Sequence, residues 1–285
     1  MALGGKILTW FNGEWREGNT MIMGAADHAT WLGSMVFDGA RAFEGVMPDV
    51  DLHSQRIIRS AKSMGYDAPV DGETVEALIR EGVAKFAPDA ELYLRPMMWS
   101  VEGDGSILSP DPTSGAYAIC IEELPMPKVG DFALTVSPYR RPRQDMALTE
   151  AKAACLYPNN GRIGTEAQSR GFNTALSLDI DDNVAETSST NVFMVRDGEV
   201  FTPAPNGTFL NGITRQRTIA LLKDDGLKVT ETNLSVQDFT DASEIFLTGN
   251  ASKVMPVTRF EDKQMPSTQI GTRARSLYWD YAHSN

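Results

Sequence analysis

Three histidines, two cysteines and nine lysines are few for a chain of 285 residues. His28, His53 and His283 form no His-x-x-x-His spacing, and Cys120 and Cys155 form no Cys-x-x-Cys, so no metal site is expected. Two cysteines are no disulfide framework either, and each lies in an apolar run where it reads as a small buried thiol. No run of about 18 apolar residues occurs, which argues against a membrane-spanning helix. The amino-terminal Met-Ala-Leu-Gly-Gly-Lys carries no export-type apolar segment, so a cytoplasmic protein is expected. Positive charge is also scarce: 26 Lys and Arg stand against 38 Asp and Glu, a net charge of −12. That balance disfavours nucleic acid or an anionic membrane as partner. An anionic ligand would need a local positive site to hold it against the overall field.

What is present supports a sizeable core, since 42% of residues are hydrophobic, and the length suits one large domain or two ordinary ones. Ile7 to Trp15 reads as a hairpin around Asn12-Gly13. Ala29 to Val36 reads as a short helix, and Phe37 to Gly45 as a strand entered through a glycine. Asp51 looks like the N-cap of a helix over 52–64, and Asp71 to Phe86 like a second amphipathic helix. Strands are expected over 92–99 and 116–121. Strand and helix signals mix without regular βαβ alternation, so the first domain reads as α+β. The Pro- and Gly-bearing stretch 124–130 is the expected linker, dividing a domain over 1–123 from one over 131–285.

In the second part a strand starts near Phe132. Tyr139-Arg-Arg-Pro-Arg143 is a basic cluster that could bind an anion but reads rather as an exposed loop, and Pro158 opens a helix that Gly171 closes. Strands over 175–180 and 192–195 flank an Asp-Asp-Asn turn and Glu186. Leu210-Asn-Gly-Ile-Thr-Arg opens a helix to about Lys223, and free N–H groups at such a start suit an anion. A strand from Glu244 ends in a second donor-rich turn, Gly249-Asn250-Ala251-Ser252.

Two charged residues stand out. Lys152 lies among alanines, a setting that suggests burial, and a desolvated lysine becomes a nucleophilic amine. Glu186 ends an apolar strand just before a Ser/Thr run. A buried amine and a buried carboxylate are what pyridoxal phosphate needs, one for its aldehyde and one for its ring nitrogen. Locally, a lysine snorkelling from a helix end and a solvated turn glutamate fit the same residues.

The spacings taken together resemble the class IV pyridoxal-phosphate aminotransferases, most closely the branched-chain amino acid aminotransferases, over about residues 10 to 280. They are Glu-Ala-Lys152, Tyr157 five residues on, Glu186 thirty-four on, Asn191-Val-Phe and Gly212-Ile-Thr-Arg. The resemblance implies a two-domain α+β fold of type IV, like D-amino acid aminotransferase, with the cofactor between the domains. It implies that Lys152 links covalently to the cofactor and moves the substrate proton, that Glu186 pairs with the pyridine nitrogen, and that Tyr157 meets the ring hydroxyl. Arg56, Ile213, Thr214 and Asn250 would hold the phosphate. Tyr93 and Arg95 would face the substrate, with Arg95 taking the second carboxylate of glutamate. Phe37 and Gly39 would shape the side-chain pocket, and Ala251 would lie in the last carboxylate turn.

Two positions depart from the family pattern. Leu32 stands where a tyrosine is frequent, which makes the pocket more apolar, and Asn250 stands where threonine is frequent. The implied activity is transamination between branched-chain L-amino acids and 2-oxoglutarate by a homodimer or higher homo-oligomer. A D-amino acid or (R)-amine transaminase, an aminodeoxychorismate lyase and a non-enzymatic binding protein are the alternatives. The Tyr93-x-Arg95 pair favours the first reading, and the intact lysine, tyrosine and glutamate argue against the last.

Overall fold

A computed structural model describes residues 5–284. The opening Met1 to Gly4, which enters the reading of an absent export signal, lies outside the described residues. Contacts divide the chain into two units. The first runs to Met126 and also takes Ala151–Cys155; the second is Pro127–Glu150 with the chain from Leu156 onward. The segment bearing Lys152 thus belongs to the first unit, which a single division at 124–130 does not anticipate. Among the described residues no helix is long and apolar enough to cross a membrane.

The first unit opens with β1 (Ile7–Phe11) and β2 (Glu14–Glu17), joined at Asn12-Gly13. Both turn residues have positive φ, as a tight hairpin of this hand requires. Then come α1 (His28–Leu32), β3 (Met35–Phe37), β4 (Ala40–Ala42), α2 (Val50–Met64), α3 (Gly72–Val83), β5 (Leu92–Ser100) and β6 (Gly115–Glu123). The strands form one sheet in the order β2-β1-β6-β5-β3, with β4 also on β5. The expected strand over 37–45 is in fact two short pieces. Asp38 and Gly39 interrupt it, because Asp38 turns its carboxylate onto the Gly39 N–H. Helix α2 begins before Asp51. Its N-cap is Asp49, which caps with no side-chain hydrogen bond and has positive φ, and Asp51 falls in the first turn. Asp71 caps α3 as expected, accepting from Thr74 N–H at 2.8 Å. Helices α2 and α3 bury Ile57, Ala61, Val75 and Ile79 against Leu92, Leu94, Met98, Ile119 and Ile121 of the sheet.

The second unit holds β7 (Ala133–Val136), α4 (Tyr157–Ser169), β8 (Thr174–Leu178), β9 (Val184–Thr187), β10 (Asn191–Arg196), β11 (Glu199–Pro203), α5 (Ile213–Asp224), β12 (Val229–Thr232), α6 (Val236–Asp241), β13 (Glu244–Gly249), β14 (Lys253–Val257), β15 (Arg259–Phe260), β16 (Lys263–Gln264) and α7 (Gln269–His283). Two five-stranded sheets result, β12-β11-β10-β13-β14 and β16-β15-β7-β8-β9. Leu134 and Leu176 of one sheet share an apolar core with Val192, Met194, Ile245 and Leu247 of the other. Phe193 and Phe246, the alternate residues of β10 and β13, stack with ring centroids 4.8 Å apart. Helix α4 starts at Tyr157, one residue before the expected Pro158, after a short 3-10 turn over Ala154–Leu156.

Gly82 lets α3 lie directly on the sheet, since a Cβ there would fall inside the radii of Trp15 and Ile121. Gly161, in α4, has open space around its missing Cβ. Gly82→Val is therefore expected to destabilise the protein by about 2–3 kcal/mol through overpacking. Gly161→Ala should stabilise it by about 0.5–1 kcal/mol. Urea unfolding midpoints check both, and a neutral Gly82→Val contradicts the close approach.

Candidate active site

Side-chain alternation along β5 builds the first half of the site. Leu92, Leu94 and Met98 point to the helices, so Tyr93, Arg95, Met97 and Trp99 take the other face. Sheet register adds their neighbours on that face: Phe37 opposite Met97, Arg41 and Glu122 on either side of Tyr93, and Cys120 opposite Arg95. One end of the face is apolar, with Met97, Trp99, Ala29 and Ala118 clustered and Phe37 packed against them. The other end carries two guanidiniums and a carboxylate. Arg41 is wholly buried and donates from Nη2 to the Leu124 carbonyl. Arg95 Nη2 lies 3.6 Å from Glu122 Oε2, and its guanidinium sits over the Tyr93 ring.

Lys152 joins this face through its backbone. Phe37 N–H donates to the Lys152 carbonyl at 3.1 Å, Val36 and Ala153 form a β-bridge, and Lys152 N–H donates to Ser60 Oγ at 3.1 Å. The ammonium is thereby placed 4.9 Å from the centroid of the Phe37 ring. Lys152 is half-buried rather than buried, while its neighbours Ala151 and Ala153 are buried. It is on no helix, so the helix-end snorkelling reading does not apply. Cys155 is exposed and Cys120 half-buried, which corrects the expectation of two buried thiols; the 3-10 turn carries Cys155 outward. Leu32 is also exposed, outside the cluster around Phe37, because α1 ends at Gly33 in a left-handed turn just after it. The apolar wall expected from Leu32 and Phe37 together is therefore not formed by this chain alone.

Arg56 and His53, three residues apart on α2, face the same carboxylate. Arg56 Nε donates to Asp38 Oδ2 at 2.7 Å and Nη2 to Asp38 Oδ1 at 2.8 Å. His53 Nδ1 lies 2.7 Å from Asp38 Oδ1, and Gly39 N–H donates to the same oxygen at 2.7 Å. Asp38 is fully buried. Burial alone would push its carboxyl up, but Arg56 and then His53 together hold it well below the usual carboxylate range. Asp38 thus joins the Phe37–Gly39 wall to Arg56.

In the second unit Glu186 lies on β9 opposite Ser177 and is only 6% exposed. Its counter-charge is Arg141, whose Nε is 3.2 Å from Glu186 Oε1. Arg141 is buried too, with Nη1 on Asn160 Oδ1 and Nε also on the Thr208 carbonyl. The expectation that residues 139–143 are an exposed basic loop therefore fails at its centre. Arg140 and Arg143 face outward to Asp182 and Asp145, whereas Arg141 N–H bonds the Leu178 carbonyl and turns its side chain inward. Tyr157 is half-buried at the first turn of α4.

Helix α5 has Gly212 as its N-cap and, like α1, α2, α4 and α7, no side-chain cap, whereas Asp71 and Ser235 cap α3 and α6. A Cβ on Gly212 would collide with Asn191 Oδ1, which accepts the Gly212 N–H at 3.2 Å. Ile213 and Thr214 are buried in the first turn of α5. Asn191 lies opposite Thr248 in the sheet, and the turn Gly249-Asn250-Ala251 follows. Lys253 Nζ donates to Asn250 Oδ1 at 2.9 Å, so the amide presents its oxygen to Lys253 and its NH2 elsewhere. Asn250 is half-buried and Ala251 exposed.

On the first unit an amine suits an aldehyde; on the second, a buried carboxylate with its own cation suits a ring nitrogen and a helix start suits a phosphate. The class IV aminotransferase family model matches residues 35–260. The chain belongs to the class IV aminotransferases.

This aminotransferase is 30% identical over 278 residues to the branched-chain-amino-acid aminotransferase of Escherichia coli (strain K12), covering 92% of this chain and 87% of that one. A crystal structure of an aminotransferase from Brucella abortus, bound to the cofactor PLP, matches with a TM-score of 0.96 at 52% identity, over 98% of this chain and 99% of that one. The branched-chain aminotransferase from the thermophilic archaeon Thermoproteus uzoniensis, with norvaline, matches with a TM-score of 0.85 at 26% identity, over 95% and 94%. This aminotransferase therefore has the type IV fold, and its cofactor is pyridoxal phosphate.

Sequence reasoning missed Asp38, Arg141 and Glu122. Asp38 had a signal, a charge between two pocket residues. Glu122 had none, and Arg141 only that of a basic cluster that could bind an anion, since their partners are distant in sequence. Asp38→Asn removes the buried carboxylate that Arg56 clamps and should cost about 3 kcal/mol at pH 7. The folded Asp38 pKa is below its unfolded value, so this contribution is present above about pH 4 and is lost as pH falls further. Wild type and Asp38→Asn stabilities, measured by denaturant titration, should converge by about 1.4 kcal/mol per pH unit below pH 4. A constant gap through that range contradicts the ion pair.

Proposed function

We propose that this aminotransferase moves the amino group between branched-chain L-amino acids and 2-oxoglutarate as a cytoplasmic homodimer. One observation carries the substrate reading. The sheet face that holds the Lys152 amine over Phe37 is apolar at that end and cationic at the other, where Arg95 lies. A branched aliphatic side chain suits the first and a second carboxylate the second. The names of the relatives agree with this.

Bound pyridoxal phosphate supplies an aldehyde and an electron-withdrawing ring. Lys152 would be the amine that holds the aldehyde, and as a base it would take and return the proton of the substrate Cα. Glu186, backed by Arg141, would hold the ring nitrogen protonated, and Tyr157 would meet the ring hydroxyl. Ile213 and Thr214 at the α5 start, Asn250 and Arg56 would hold the phosphate. Tyr93, Gly39, Phe37, Leu32 and Ala251 line the substrate.

The dimer rests on exposed apolar groups of the first unit: Trp31 at 56%, Leu32, Ile107 at 59% and Leu108 at 76%. Cys120 and Cys155 are unpaired, in keeping with a reducing compartment.

Leucine, valine and isoleucine with 2-oxoglutarate are expected to turn over, and borohydride should fix the cofactor on Lys152 in the wild type. Lys152→Ala should bind cofactor without that link and lose more than about a thousandfold in turnover. Turnover within about tenfold of wild type would sink the assignment. Sedimentation of the active holoenzyme should give twice the chain mass; a fully active monomer rules out the dimer.

A further inference from the structure

We propose that Glu122 is a resident counter-ion for Arg95, and that it sets the balance between apolar and acidic substrates by competing with the second carboxylate of the acidic one. The inference rests on the substrate reading above.

Both residues point from the same sheet face. Arg95 is on β5 and Glu122 on β6, with Tyr93 directly opposite Glu122 and Cys120 opposite Arg95. The Glu122 side chain is 9% exposed and that of Arg95 36%, so the pair stands at the rim of a partly dry surface. Their closest nitrogen–oxygen separation is 3.6 Å, long for a hydrogen bond and well short of the bidentate clamp that holds Arg56 on Asp38. Arg95 also lies over the Tyr93 ring, 5.0 Å from its centroid. It is thus charge-compensated yet loosely held.

That arrangement answers the problem of one pocket serving two side chains. With leucine bound, nothing on the substrate neutralises Arg95, and a guanidinium drying against an isobutyl group is costly without an anion nearby. Glu122 supplies the anion. With 2-oxoglutarate bound, a second carboxylate approaches the same guanidinium, and Glu122 repels it while sharing Arg95. Glu122 therefore favours the apolar ligand and penalises the acidic one.

The test uses two unreactive acids on the holoenzyme, glutarate and 4-methylvalerate, titrated by the change they cause in the visible absorbance of the bound cofactor. Glu122→Gln keeps shape and removes charge. The ratio of glutarate to 4-methylvalerate affinity should rise by about tenfold, the scale of one like-charge contact at a partly desolvated rim. In steady state the gain for 2-oxoglutarate should appear in KM rather than kcat. In an Arg95→Ala background the same change at Glu122 should leave the ratio within about twofold, because the competition is for Arg95.

An unchanged ratio overturns the inference, as does a ratio that falls, which would make Glu122 a brace that aims Arg95 at the acid. A rise that persists without Arg95 overturns it too, since Glu122 would then act on the ligand directly. A holoenzyme that moves no amino group from branched-chain donors refutes the substrate reading, while the affinity ratio still decides the role of Glu122.

Discussion

A one-residue alternation in β5 underlies the first half of the site. Had the strand slipped by one position, Tyr93 and Arg95 would point into the helices and Leu92 and Leu94 to the opposite face. The register is held from the buried side, where Leu94, Met98, Ile119 and Ile121 lie against α2 and α3. The apolar core thus decides where the polar residues face. The close seat of α3 at Gly82 belongs to the same constraint.

The chain is acidic overall, yet its site must receive a phosphate and carboxylates. Local pairing resolves the conflict. Asp38 is clamped by Arg56, Glu186 by Arg141, and Glu122 lies beside Arg95. Each pair is a carboxylate and a guanidinium on one unit, so the distant surface charge adds little at the site. The pairs differ in tightness. The first is bidentate and buried, the last loose and at a rim, which matches one to holding shape and the other to exchanging partners.

The candidate site residues that stand out in the sequence do so because their signals are short-range. Gly212-Ile-Thr at a helix start and the spacing of Lys152, Tyr157 and Glu186 are readable along the chain. The hairpin at Asn12-Gly13 and the Asp71 cap are local for the same reason. Asp51 misled because the true cap, Asp49, uses an unusual backbone angle and no side-chain bond. Helix α7 had no sequence assignment. It buries Gly271, Ala274, Tyr278 and Ala282, a helical spacing made largely of small residues that give a weak apolar signal. The inward turn of Arg141 is set by strand β8, to which its backbone is bonded, and nothing in Tyr139-Arg-Arg-Pro-Arg143 encodes it.

The chain passes between its two units three times, at 126/127, 150/151 and 155/156. The short visit over Ala151–Cys155 supplies the Ala153 end of the bridge to Val36 and the carbonyl that Phe37 binds. During synthesis, then, the first unit cannot finish when its own strands and helices have left the ribosome. Its last edge contact waits until residue 155 has emerged, by which time the opening of the second unit is already outside. Lys152 is thus in the late-arriving piece of an otherwise early-built unit. A nascent chain that stalls before it leaves β3 paired with β5 alone, and Ser60 without the bond from Lys152 N–H.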